Sequence, residues 1–287
     1  MKIAFFTIGG QVLGPIESKL REKGIEIVTN ECTSDCDFMY LSTVTCTNKA
    51  LDQINSNKNI PLVVYNWDQY KNHATVQKGY PWDTFNELQK RSVEIWTPSE
   101  AVNHRVEEFI GLKNKCHIIK SWARYFDYPI NRIKDNRYVI QVVRNYKWDP
   151  QFEWTKRACT ELNIPYHYNA KHQRSEEDFQ RWIAEASVLI CEYEEASTGG
   201  LTLLEGHRLG KPVLVSDSKY MGAVDYFGER ATYFENGNYN DFKAKLKELY
   251  DNPPTYNLQD CIDFTNQYTL DVMVDNMIER FLYLKNK

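Results

Sequence analysis

The sequence predicts an α/β protein built from two doubly wound parallel sheets, and three observations carry that expectation. The 287 residues exceed one ordinary domain and suit two. Short apolar runs alternate with longer amphipathic ones almost from end to end, the pattern of strands covered on both faces by crossover helices. The alternation pauses over residues 129–136 and then restarts with a fresh apolar run.

In the first half the strand-like runs fall at residues 3–7, 25–28, 38–41, 62–65, 93–96 and 117–119. Helical patterns lie between them, for example at 15–23 and 100–109. After the pause, residues 138–143 read as a strand, 151–162 as a helix, 166–168 as a strand and 176–186 as a helix. Strand 188–191, helix 200–209 and strand 213–216 continue the series. The expected division is a first domain over residues 1–124, a linker over 125–136 and a second domain over 137–267. Residues 268–287 form a closing helix, with Leu270, Val274, Met277, Phe281 and Leu284 at near-helical spacing.

Composition narrows the function. The formal net charge of -4 lacks the basic excess of a dedicated nucleic-acid binder, so no nucleic-acid partner is expected. The seven cysteines are scattered; Cys32 and Cys36 are the one close pair, and neither a second pair nor a His cluster completes a zinc spacing. Free thiols in a reducing cytoplasm are expected. The opening apolar run is too short for a signal peptide, and nothing approaches the ~20 apolar residues of a membrane span. A cytoplasmic protein follows as the expectation, with peripheral membrane contact left open. Neither G-x-S-x-G nor H-E-x-x-H occurs, which argues against the common hydrolase types. Asp35-Cys-Asp37 spells a manganese-type Asp-x-Asp, yet it precedes a strand where such a motif should end one, so it reads as a turn.

In open α/β sheets ligands bind beyond the carboxyl ends of the strands. Three such places stand out. The first is Ser197-Thr-Gly-Gly-Leu-Thr-Leu-Leu-Glu205. Gly199 and Gly200 precede a helix, so the amides of Gly200, Leu201 and Thr202 are candidates for cradling a diphosphate. Glu205, about one turn further, could accept both hydroxyls of a ribose. The second is Arg144-Asn-Tyr-Lys147-Trp-Asp149 after the strand at 138–143, whose Arg-Lys pair is able to neutralise a leaving diphosphate. The third is Ile8-Gly-Gly-Gln-Val-Leu-Gly14 after the first strand, where Gly9 and Gly10 could face a ligand or simply form a turn. It lacks G-x-G-x-x-G, which weakens a nicotinamide-dehydrogenase reading.

Residues 200–217, Gly-Leu-Thr-Leu-Leu-Glu-Gly-His-Arg-Leu-Gly-Lys-Pro-Val-Leu-Val-Ser-Asp, resemble the donor-site signature of family-4-like retaining glycosyltransferases, glycosyl transferases group 1 of the GT-B fold. Gly222-Ala-Val-Asp225 is similar to the family's Gly-x-Pro-Glu, and Trp96-Thr-Pro-Ser99 with Ile118-Ile119 is similar to its domain-boundary pattern. The resemblance implies two Rossmann-like domains facing a cleft, with the closing helix crossing back to the first. It implies a metal-independent hexosyltransferase that takes a nucleotide-diphosphate sugar as substrate and needs no cofactor. The acceptor, whether glycan, lipid-linked sugar or small molecule, stays open. The implied catalytic residues are Arg144, Lys147, Glu195 and Asp68. The implied donor-binding residues are Gly199, Gly200, Leu201, Thr202, Glu205, Tyr168, Gly9 and Gly10. Two positions depart from the family pattern. Ser197 stands where the first of two paired glutamates is found, with Glu194 and Glu195 just upstream, and Trp67 replaces a histidine before Asp68. A non-catalytic relative that holds a nucleotide sugar is therefore the alternative.

Overall fold

The computed structural model describes residues 1–67, 79–125, 138–142, 149–168, 176–196 and 200–287. These fall into two compact units, Met1–Ser121 with Leu270–Lys287, and Trp122–Thr269.

The sheet of unit 1 contains β1 (Lys2–Phe6), β2 (Glu26–Thr29), β3 (Phe38–Leu41), β4 (Leu62–Tyr65), β5 (Glu94–Thr97) and β6 (Cys116–Ile118). They run parallel in the order β2-β1-β3-β4-β5-β6. Every residue of β3, β4 and β5 is buried, as required where both faces of a sheet are covered. The helix expected at 15–23 in fact spans Gly10–Glu22, with Pro15 inside it. Here the chain turns earlier, at Gly9, whose φ of 70° is comfortable only for glycine.

The closing helix, Leu270–Lys285, belongs to unit 1 and packs on helix Gly10–Glu22. Lys23 pairs with Asp275 at 2.7 Å and Lys19 with Asp271 at 3.2 Å. Such exposed pairs contribute about 0–1 kcal/mol each. The larger anchor is Phe281, fully buried with its ring 4.6 Å from that of Trp96 and 5.2 Å from that of Phe38. Beside it Arg280 forks onto the Glu94 carboxylate, with Nε 2.8 Å from Oε2, which partners a charge that β5 would otherwise bury alone.

Unit 2 contains β7 (Val139–Gln141), β8 (Tyr166–Tyr168), β9 (Val188–Cys191), β10 (Val213–Ser216) and β11 (Thr232–Phe234), parallel in the order β11-β10-β9-β7-β8. Read from β8, that order repeats the β2-β1-β3-β4-β5 sequence of unit 1. Alternation along the strands fills two cores. Ile140, Leu189, Cys191, Val213 and Val215 point to one face; Val139, Val188, Ile190 and Leu214 point to the other. The helix expected at 151–162 starts later, at Trp154, because residues 149–153 make a turn ending in Glu153 at φ 72°. Residue 143, the expected end of the strand at 138–143, lies outside the described residues. Beyond residue 216 the structure adds β11 and helices Gly222–Phe227, Tyr239–Asp251 and Leu258–Thr265. Among the described residues no helix is long and apolar enough to cross a membrane.

Candidate functional site

Strand order reverses direction between β7 and β9, and in open α/β sheets such a switch point, beyond the carboxyl ends of the strands, is the usual ligand position. The loop leaving β9, Glu192-Tyr-Glu-Glu-Ala196, is firmly held. Glu192 is fully buried; its Oε1 accepts from the Gln141 side-chain amide and its Oε2 accepts from Thr155 Oγ1 at 3.0 Å. The same Gln141 nitrogen donates to Tyr193 Oη at 3.0 Å. Burial pushes the Glu192 carboxyl up to about 8. Asp149 accepts the backbone amides of Gln151 at 2.8 Å and Glu194 at 3.0 Å. Burial raises its pKa to about 7, against the amides of Gln151, Glu195 and Glu194, which favour the charged form. At the far end of the loop, Ala196 N donates to Tyr220 O at 3.1 Å and Ala196 O accepts from Gly222 N at 2.8 Å. Glu195 sits between these fixed points and is 3% exposed.

Gly200 caps helix Leu201–His207 with φ 81°, a conformation that explains glycine there. Leu201 and Thr202 form the first turn, where backbone amides have no acceptor within the helix. Glu205 is buried one turn on. Burial pushes the Tyr125 phenol above its usual range, with the Arg208 guanidinium opposing and the Glu205 charge adding to it, so Glu205 and Arg208 both lie near Tyr125. The Arg208 guanidinium carbon is 4.6 Å from the centre of the Tyr125 ring. Gly206 is what seats this helix: a Cβ there would stand 2.7 Å from both Leu189 Cδ atoms and 3.2 Å from Ile183 Cγ2. The backbone at Glu205 is thus fixed by close contact with β9.

Glu195, Gly200, Leu201, Thr202 and Glu205 therefore belong to the two segments that follow β9. Tyr168 ends β8, next to β7 in the sheet. Gly9 and Gly10 belong to unit 1, just past β1, where the β1/β3 reversal makes a second switch point; Gly9 N donates to Thr7 Oγ1 at 2.9 Å. Arg144, Lys147, Asp68 and Gly199 lie outside the described residues, as does Ser197. Trp67 is described: its Nε1 donates to Ser42 O at 2.7 Å and its ring lies 4.5 Å from that of Tyr65. Asp35 and Asp37 precede β3 and are engaged, Asp35 with Lys2 Nζ at 2.8 Å and Asp37 with Lys285 Nζ at 2.7 Å. Lys2 lowers the Asp35 pKa to about 2. Both are turn residues in ion pairs. Cys32 and Cys36 are buried free thiols. Asp149 and Glu192 were not singled out in the sequence as site residues. The Asp-Pro pair at 149–150 signals a turn, but nothing local tells that Asp149 reaches residue 194.

No protein-family model and no curated protein sequence matches the chain. Solved structures do match in fold. The structure of Anabaena HepE in complex with UDP and glucose is 13% identical, with a TM-score of 0.67 over 99% of this chain and 100% of that one. The lipopolysaccharide outer core galactosyltransferase WaaB, apo form, is 14% identical, with a TM-score of 0.66 over 99% and 100%. Sucrose-phosphate synthase from Thermosynechococcus elongatus is 9% identical, with a TM-score of 0.67 over 99% of each chain. The chain therefore has the fold of these proteins, two doubly wound parallel sheets of the GT-B class.

Proposed function

We propose that the chain is a retaining glycosyltransferase that moves a hexose from a nucleotide-diphosphate sugar to an acceptor without a metal ion. The observation that supports the reading is the placement of Glu195, the Gly200 cap and Glu205 on the two segments that follow β9, at the sheet's switch point, on a fold shared with proteins that include one solved with UDP and glucose. In this reading the first-turn amides and the Arg144–Lys147 pair take up the charge of the departing diphosphate. Glu205 accepts from the ribose, and Glu195 supplies the carboxylate near the transferred sugar that Ser197 does not. The leaving phosphate itself takes the acceptor's proton on the same face. Asp68 is the candidate for the acceptor side.

The alternative, a relative that binds the donor without transferring the sugar, draws support from Ser197 and Trp67, which stand in place of the family's glutamate and histidine. A thermal-shift panel of UDP-, GDP-, ADP- and dTDP-glucose, each with and without EDTA, tests binding first, since a ligand of the native state raises its apparent stability. Donor hydrolysis or transfer by wild type and Glu195→Ala then separates the two readings. Binding that collapses with EDTA overturns metal independence. Binding without turnover for any donor favours the non-catalytic relative.

A further inference from the structure

One buried carboxylate fastens together the segments that follow β7 and β9, at the switch point of the sheet. Asp149 comes eight residues after the end of β7 at Gln141. Its Oδ1 accepts the Gln151 amide at 2.8 Å, closing a local turn of the kind Asp favours. Its Oδ2 accepts the Glu194 amide at 3.0 Å from a segment 45 residues away. The neighbouring Glu195 amide also favours the charged form of the same carboxylate. A residue needed only for the turn would be complete with the first bond. The second bond fixes the peptide unit just before Glu195, while the Ala196 bonds to Tyr220 and Gly222 fix the backbone after it.

We propose that Asp149 is a positioning residue that holds the backbone of Glu195, and so aims the Glu195 carboxylate. This rests on the glycosyl-transfer reading above, in which that carboxylate faces the transferred sugar. A site group must be held to about 0.5 Å, and a misplacement of ~1 Å costs on the order of 100-fold in rate. A buried carboxylate with two amide donors from separate segments supplies such rigidity where a loop alone would not.

Asp149→Asn separates the roles. The amide oxygen still serves Gln151, but its NH2 turns toward the Glu194 and Glu195 amides, donor against donor. Hydrogen exchange at those two amides is expected to rise at least about tenfold, with protection in β7 and β9 retained. In hydrolysis of the best of UDP-, GDP-, ADP- and dTDP-glucose, kcat is expected to fall roughly 10- to 100-fold with KM changed less than about threefold. Asp149→Glu, which keeps the charge and both oxygens, should recover part of the protection and part of the rate. If the Asn variant does not fold, Asp149→Ser is read by the same two measurements. Unchanged exchange overturns the clamp. Raised exchange with unchanged kcat overturns the positioning role and leaves the glycosyl-transfer reading standing. A wild type that turns over none of the four donors refutes that reading, and the positioning role falls with it.

Discussion

Gly206→Ala sets two effects of opposite sign against each other. Alanine in a helix is favoured over glycine by about 0.5–1 kcal/mol, mostly through the unfolded chain. Against this, the new methyl would lie 2.7 Å from both Leu189 Cδ atoms and 3.2 Å from Ile183 Cγ2. Rotating Leu189 does not relieve both contacts, because it is fully buried in β9 among the residues of one packed core. Overpacking of this kind costs about 1–3 kcal/mol. The clash wins, and the expected net loss is about 1–2 kcal/mol. For a unit of this size that lowers Tm by roughly 2–8 °C. The assay is differential scanning calorimetry of the full chain, fitted for separate transitions because two units need not unfold together. Leu189→Ala provides the control. Alone it should cost about 2–5 kcal/mol, and combined with Gly206→Ala the loss should be smaller than the sum, since the cavity accepts the methyl. A Gly206→Ala variant as stable as wild type, or additive with Leu189→Ala, would refute the close-packing account of how Glu205 is placed.

Three further outcomes are expected. Glu205→Gln should weaken donor binding by about 1.5–3 kcal/mol in a titration, through loss of a charge-assisted acceptor, with Tm little changed; equal affinity would remove Glu205 from the ribose. Phe281→Ala, which empties a buried site against Phe38 and Trp96, should cost about 3–5 kcal/mol and make the closing helix a target in limited proteolysis; a protease pattern like that of wild type would count against the anchor. Glu192 keeps its proton in the folded state up to about 8, whereas an unfolded carboxyl releases it near ~4.3. Its contribution is complete below the unfolded value and is lost as pH rises through the folded one. Urea midpoints of wild type should therefore fall from pH 7 to pH 8, and those of Glu192→Gln, in which Asp149 still titrates at about 7, should fall less. Parallel slopes would refute the assignment.

The fold was legible where burial on both faces leaves nothing but apolar residues. β4 and β9, Leu-Val-Val-Tyr and Val-Leu-Ile-Cys, admit no other reading in a chain of such spacing. β11 was not, because it lies at a sheet edge and its Thr-Tyr-Phe is only partly buried, so its apolar signal is diluted. The helix expected from residue 15 starts at Gly10, because its start is set by the turn at Gly9 and not by the apolar pattern. In the site, Gly200 and Glu205 could be read because a helix cap and a position one turn later are set by local spacing. Asp149 and Glu192 could not, because each acts through partners 37 to 51 residues away that only the sheet brings near.

The ring of Phe281 fills a core whose other members, Phe38, Tyr40 and Trp96, belong to the first hundred residues. Unit 1 is thus a discontinuous body, and everything from Trp122 to Thr269 is an insertion within it. During synthesis the first six strands emerge early, yet the aromatic pocket beneath them stays open until the last helix leaves the ribosome. Unit 2, continuous in sequence, can complete its core before unit 1 completes its own. The half made first is the half finished last, and a chain truncated after residue 269 would expose that pocket to chaperones and proteases while its second half could still fold.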